Sequence, residues 1–187
     1  MLYKFVCEDY KLLYIVSFIG GTQPPKSEHI YSYKKGYIRF IQNRDYSTEN
    51  HLTYIKESPR NKLCDEYDIM MDKYGEAGKV RFGIKGAYNV ALAKIKPKNK
   101  YYQEWIREFL NMKEIQQYLF NSSMASTRAS VSENNLSNIK IPIPSNNNIL
   151  IEFEKKHKII IKFILKLQQE NKLLEKLKQL YLKKFFR

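Results

Sequence analysis

After Pro144 the chain contains no glycine and no proline, and in all 187 residues there are only two cysteines, three histidines and one tryptophan. Cys7 and Cys64 lack CxxC spacing and are too few for a disulfide framework, which fits a reducing compartment. His29, His51 and His157 are scattered, with no zinc-ligand spacing and no Ser, Cys or Asp partner at triad-like distance. No GxGxxG or P-loop is present, which argues against the common nucleotide-binding turns. No apolar run approaches the length of a bilayer span, and Glu8 and Asp9 interrupt the apolar N-terminus, making it a poor signal peptide. The expectation is a cytoplasmic protein without membrane contact. No repeat appears at a period of 20–50 residues.

What the chain does have is apolar surface and positive charge. Hydrophobic residues make up 43% and aromatic residues 14%, enough to bury a core and to exclude wholesale disorder. Thirty-three Lys and Arg against nineteen Asp and Glu leave a net charge of +14, which points to a polyanionic partner. The length suits one domain of ordinary size plus an appendage. Residues 149–187 carry eleven basic and four acidic side chains, so both parts of the chain are basic.

The character of the sequence changes near residue 145. Before it, β-branched and aromatic runs alternate with Gly, Pro and Asn. Strands are predicted over residues 11–19, 36–42 and 67–73, with two more over 79–84 and 88–96 that the intervening glycines allow to pair as a hairpin. Residues 101–121 carry apolar side chains at a period near 3.6 and read as one helix, with Trp105 on its core-facing stripe. Residues 122–132 are small and polar, a loop, and 139–144 are extended because each proline excludes helix for its predecessor. Ser145-Asn146-Asn147-Asn148 then supplies N-cap residues for a helix running to the end, about 50–55 Å of rod. Ile160, Ile164, Leu167, Asn171, Leu174 and Tyr181 fall in steps of three and four, the spacing of a coiled-coil seam in which Asn171 would set register. Leu173, Leu177 and Leu180 widen the stripe, and Lys178 lies on it with a stem that can snorkel. A membrane surface would also accept a basic amphipathic helix, but it does not require this spacing.

Three stretches have chemistry suited to nucleic acid. Lys73, Tyr74, Lys79 and Arg81 surround a turn bounded by Gly75 and Gly78, which can bring amides and cations to phosphates; the alternative is an ordinary hairpin with solvated charges. Ser126, Thr127 and Arg128 offer hydroxyls and a guanidinium without an acid, or else form a simple connecting loop. Gln42-Asn43-Arg44 ends a predicted strand with the side-chain types that read adenine and guanine, or else Asn43 holds a turn. Enzyme signatures are weak. Asp65, Glu66, Asp68 and Asp72 are close in sequence, but strand alternation puts Asp68 and Asp72 together and leaves Asp65 opposite, so a metal-dependent nuclease site is disfavoured and a solvated acidic edge is favoured. Gln23-Pro24-Pro25-Lys26 lacks the flanking residues with which DNA adenine methyltransferases hold a flipped base.

The order of these features resembles the target recognition domain of Type I restriction–modification specificity subunits. The resemblance runs through Ile19-Gly20-Gly21-Thr22-Gln23-Pro24, Gly36-Tyr37-Ile38-Arg39-Phe40-Ile41, Asp68-Ile69-Met70-Met71-Asp72-Lys73-Tyr74-Gly75 with Gly78-Lys79-Val80, and Gly86-Ala87-Tyr88-Asn89-Val90-Ala91-Leu92. It is most specific at Ser126-Thr127-Arg128-Ala129-Ser130, Leu136 and Ile139-Lys140-Ile141-Pro142-Ile143-Pro144, which lead into the long helix. It implies an α/β, mixed-sheet recognition domain (1–144) followed by a long helix (145–187) that forms an antiparallel coiled coil. It also implies a non-catalytic subunit that binds double-stranded DNA and no cofactor of its own. S-adenosylmethionine would sit on partner methyltransferase subunits, joined in restricting systems by a restriction–translocase subunit. Full subunits of the family have two such domains and two helices; this chain has one of each and resembles a half-subunit. Two copies on a two-fold axis would then read a bipartite palindrome. Rival readings are a helix that pairs with another specificity subunit and alters its target, or a small nuclease or methyltransferase fragment.

Overall fold

The computed structural model describes residues 6–124 and 129–186. The chain opens with β1 (Cys7–Lys11), a single helical turn α1 (Leu12–Ile15) and β2 (Val16–Gly20), and continues through β3 (Tyr37–Ile41), β4 (Tyr54–Lys56), β5 (Leu63–Cys64), β6 (Ile69–Asp72) and β7 (Val80–Arg81). Then come β8 (Gly86–Tyr88), β9 (Leu92–Pro97), α2 (Gln103–Asn111), α3 (Lys113–Ser123), α4 (Glu133–Ser137), β10 (Lys140–Pro144) and α5 (Asn147–Phe185). Among the described residues the strands form three sheets: β1-β10, antiparallel β2-β9-β6-β7, and β4-β3-β8-β5, in which β3 and β8 run parallel. The mixed-sheet domain and the long terminal helix agree with the expectation.

Several local expectations are corrected. The strand predicted over 11–19 is broken by α1, because Leu12 and Ile15, three apart, both drop into the core while Tyr14 stays exposed. That turn lets the chain leave β10 and join β9. The helix predicted over 101–121 divides at Met112, which leaves helical conformation at ψ 139°. The Gln116 amide donates to the Leu110 carbonyl at 2.7 Å, satisfying an acceptor at the end of α2. Because Met112 is exposed, the break does not disturb the apolar period. No hairpin joins 79–84 to 88–96. β7 pairs with β6, β8 with β3 and β5, and β9 with β2 and β6. Of the loop predicted over 122–132, residues 122 and 123 complete α3, and Ser132 opens α4 through a capping box with Asn135.

Pro142 and Pro144 sit within β10 without cost to its ladder. Ser145 N–H donates to the Val6 carbonyl at 3.0 Å and Leu12 N–H to the Ile139 carbonyl at 2.9 Å. With Cys7 opposite Pro144 and Asp9 opposite Pro142, both prolines fall on rungs that need no amide hydrogen.

The largest core cluster packs Leu12, Val16, Ile69, Met71 and Ile95 against Ile106, Leu110 and Leu119 of the helices. Helix α5 starts at N-cap Asn146, whose side chain accepts from Asn148 N–H at 3.0 Å, and its 39 residues make a rod of about 58 Å. Leu150, Glu154, Ile161 and Leu165 face the head and are buried. Glu154 Oε2 accepts the Glu104 backbone N–H at 2.9 Å, so the stalk caps the start of α2. The Glu104 carboxylate in turn pairs with buried Arg107 at 2.7 Å, and Lys158 reaches Glu154 at 3.1 Å. The Arg107 guanidinium lies 4.7 Å from the Phe82 ring and donates to the Tyr67 carbonyl at 2.6 Å. Higher up, Leu165 passes so close to Gly83 (φ +95°) that a Cβ there would lie 2.9 Å from its Cδ2. Glu49 accepts from both Arg39 (3.0 Å) and Lys172 (2.9 Å), clamping the stalk to the head, and Lys172 and Arg39 hold its carboxyl below the usual range.

Arg107→Met leaves the buried Glu104 carboxylate without its cation. It is expected to cost about 3–5 kcal/mol in urea unfolding. A loss below about 1 kcal/mol would show that the network contributes little.

Candidate nucleic-acid interface

The strand β3 ends in a 3₁₀ turn, Asn43–Tyr46, that displays Asn43 and Arg44. Gln42 Nε2 donates to Thr53 Oγ1 at 3.3 Å, and Asp45, buried beneath the turn, accepts Gln42 N–H at 3.1 Å; burial raises the Asp45 carboxyl despite that bond. The Asn43 amide donates to the Tyr74 carbonyl at 3.2 Å. Tyr74 also forms an antiparallel bridge with Ser130, and Val131 N–H donates to the Lys73 carbonyl at 2.9 Å. Three stretches far apart in sequence, 42–44, 73–79 and 129–131, thus meet at one end of the head. Ser126, Thr127 and Arg128 lie outside the described residues.

The turn between β6 and β7 is pinned from several sides. Gly78 N–H donates to the Asp72 carbonyl at 2.8 Å and Asp72 N–H to the Lys79 carbonyl at 3.0 Å. The Gln116 amide of α3 reaches the Gly78 carbonyl at 3.0 Å. Gly78 itself (φ +91°) rests on Leu119, whose Cβ would be 2.7 Å from any added Cβ. Lys79 projects outward, 46% exposed, and pairs with Glu76 at 2.6 Å. The Lys73 ammonium sits 5.7 Å from the Tyr74 ring. Arg44 is half exposed, its Nε 3.8 Å from Asp45.

Arg81, expected as a contact, is turned inward and only 12% exposed. Its Nε and Nη2 donate to Asp72 Oδ2 at 3.1 and 2.9 Å, Nη2 also meets Glu76, and the guanidinium lies 5.7 Å from the Tyr46 ring. It braces the turn from behind. Asp72 Oδ1 has no hydrogen-bond partner among the described residues, and burial outweighs Arg81 to push the Asp72 carboxyl up to about 6. Sequence reasoning treated Asp72 only as a weak metal ligand and missed Gln116. The signal for the first was an acid and an arginine flanking one tight turn.

Two of the other candidate acids are held by cations. Asp68 pairs with Lys94 at 3.1 Å and Asp65 with Lys85 at 3.5 Å. Among the described residues no three His, Cys, Asp or Glu side chains are grouped to hold a metal ion, and no helix is long and apolar enough to cross a membrane. Burial pushes the Cys64 thiol up to about 12. Trp105 packs on the core, its indole donating to the Pro142 carbonyl at 2.8 Å.

The family model for the Type I restriction modification DNA specificity domain matches residues 7–180, nearly the whole chain. The chain belongs to this family. Among solved structures, a Type I restriction–modification S subunit from M. genitalium is similar at 17% identity, with a TM-score of 0.62 over 93% of this chain and 43% of that one. The HsdS subunit from Thermoanaerobacter tengcongensis is similar at 18% identity, with a TM-score of 0.57 over 87% of this chain and 40% of its own. A chain from a structure concerned with complex assembly and conformational transition of the type I R-M system gives 19%, 0.58, 97% and 46% in the same order. These likenesses show the specificity-subunit fold, and the chain spans less than half the length of each. A search of curated protein sequences finds no match.

Because its folded-state value is raised, Asp72 contributes stability that is full below its ordinary value of 3.8 and is lost as pH rises through about 6. Relative to Asp72→Asn, the wild-type unfolding free energy is expected to fall by roughly 1–2 kcal/mol across that window, after allowance for solvent screening. A flat difference in urea melts between pH 4 and 7 would show that the carboxyl titrates normally.

Proposed function

We propose that this chain is a sequence-reading half of a Type I specificity subunit, directing methyltransferase subunits, and a restriction subunit where one is present, to DNA without chemistry of its own. The observation that carries this is the meeting of Asn43, Arg44, Tyr74 and Lys79 on one braced surface of a strongly basic specificity-domain fold. Lys79 and Lys73 supply phosphate contacts, while Arg44 and Asn43 have the fork and amide that read guanine and adenine edges. Gln42 supports the same turn from beneath, and Arg81 positions the turn through Asp72 and Glu76; by residue type alone, the hydroxyls and guanidinium of Ser126, Thr127 and Arg128 suit the same DNA contacts. S-adenosylmethionine belongs to the methyltransferase partner.

The outer face of α5 supports pairing with a second copy. Ile160, Leu167, Leu174 and Tyr181 recur every seventh residue and are all exposed, Leu167 by 44%. Ile164 is half-buried beside the head, and Asn171 lines the groove between stalk and head. An antiparallel pair would cover this stripe and reach the two-headed length of the solved subunits. The target is then a bipartite palindrome.

Lys79→Ala should weaken binding to every duplex alike and reduce the salt slope by about one, whereas Arg44→Ala should cost about 1–3 kcal/mol at one base position. Titrations at several salt concentrations that show neither effect would remove these residues from the interface. Sedimentation of Leu167→Asp is expected to show a monomer where the wild type shows a dimer. Equal masses for the two proteins would refute the seam.

A further inference from the structure

Helix α3 buries only one side. Leu119 and Ser123 are buried and Ile115 packs against the core, so the helix lies directly beneath the Gly78 turn. The opposite stripe, Lys113, Gln117, Phe120 with Asn121, and Met124, is exposed, and two of its members are large apolar side chains. A cleft of about 400 Å³ separates this stripe from the Gly75–Lys79 turn, with Gln117 and Phe120 on one wall and Lys79 on the other. Gln116 ties the two walls together through the Gly78 carbonyl, so whatever Lys79 touches is brought to α3 as well.

The geometry points to α3 as a second reading element that recognises an A·T pair in the major groove beside the Tyr74–Lys79 contact. Gln117 Nε2 donates to Asn121 Oδ1 at 3.0 Å, across one helical turn. The bond fixes both amides and leaves Gln117 Oε1 as an acceptor and Asn121 Nδ2 as a donor. Adenine presents the complement on its groove edge, an N6–H donor and an N7 acceptor. Phe120, 53% exposed on the same stripe, has the apolar surface that meets the thymine methyl of the same pair. The major groove admits a helix, and Lys113 and Lys79 offset the nearby Glu76 and Glu114. This inference rests on the reading of the chain as a DNA-recognition module.

The test is selection from a randomised 40-base-pair duplex pool by the full chain and by the Gln117→Ala/Asn121→Ala double variant, with circular dichroism to confirm folding. The wild type is expected to enrich a motif containing an A·T position that the double variant no longer specifies, with the other positions kept and affinity for the wild-type motif reduced about tenfold or more. Replacing that thymine by uracil should weaken the wild type but not Phe120→Ala. A double variant that enriches the same motif at every position overturns the role of α3 and leaves the proposed function standing. If the wild type itself enriches no motif, the proposed function falls and this inference with it.

Discussion

A carboxylate from the stalk caps a helix of the head, and the rest of the architecture depends on it. Glu154 accepts the Glu104 amide, the Glu104 side chain holds Arg107, and Arg107 reaches the Tyr67 carbonyl just ahead of β6. Charges taken out of water are costly unless they complete one another, so the network tolerates little displacement of any member. Around it the stalk root is filled by rings: Trp105 meets Phe153 edge-on at 5.0 Å, and Phe153 stacks on His157 at 3.7 Å. The direction of α5 is therefore a property of the head. A two-headed assembly built on such a stalk inherits a fixed relation between its heads.

The proposed reading surface follows the same logic on a smaller scale. Its outward residues stand on a turn held by backbone bonds, by the amides of Asn43 and Gln116, and by an arginine that faces inward. A loop ordered in advance loses less entropy when it meets a ligand, which suits the proposed contact with DNA. The buried Asp72–Arg81 pair favours that geometry even though desolvation works against the carboxylate.

The sequence was informative where one period dominated. Alternation located the strands at 36–42 and 67–73, proline located the extended 139–144 segment, and the unbroken run after Pro144 located α5. It failed where tertiary contacts overrode local preference. Leu12 and Ile15 needed the same core, so a β-branched stretch yielded a helical turn. Met112 left the helix without disturbing the apolar period, and the glycines at 83 and 86 moved the chain between sheets, not around a hairpin. At the site, residue types marked turns that the fold brings together, but sequence spacing does not show which cation a buried acid will claim. Lys79 and Arg81, two residues apart, both reach Glu76, but buried Asp72 also claims Arg81 and leaves it far less exposed than Lys79. The polar stripe Lys113, Gln117, Asn121 opposite Leu119 was legible as amphipathicity, and only the packing of Leu119 beneath Gly78 shows what lies beside it.

The approach of Leu165 to Gly83 leaves no room for a side chain between the long helix and the domain at that point. The backbone of residue 83 also sits at φ +95°, where an L side chain is strained. A methyl group there would have to turn the end of Leu165 out of the seam, loosening the packing next to the Lys172–Glu49 clamp. One absent carbon is what lets the rod lie flush along the body it grows from.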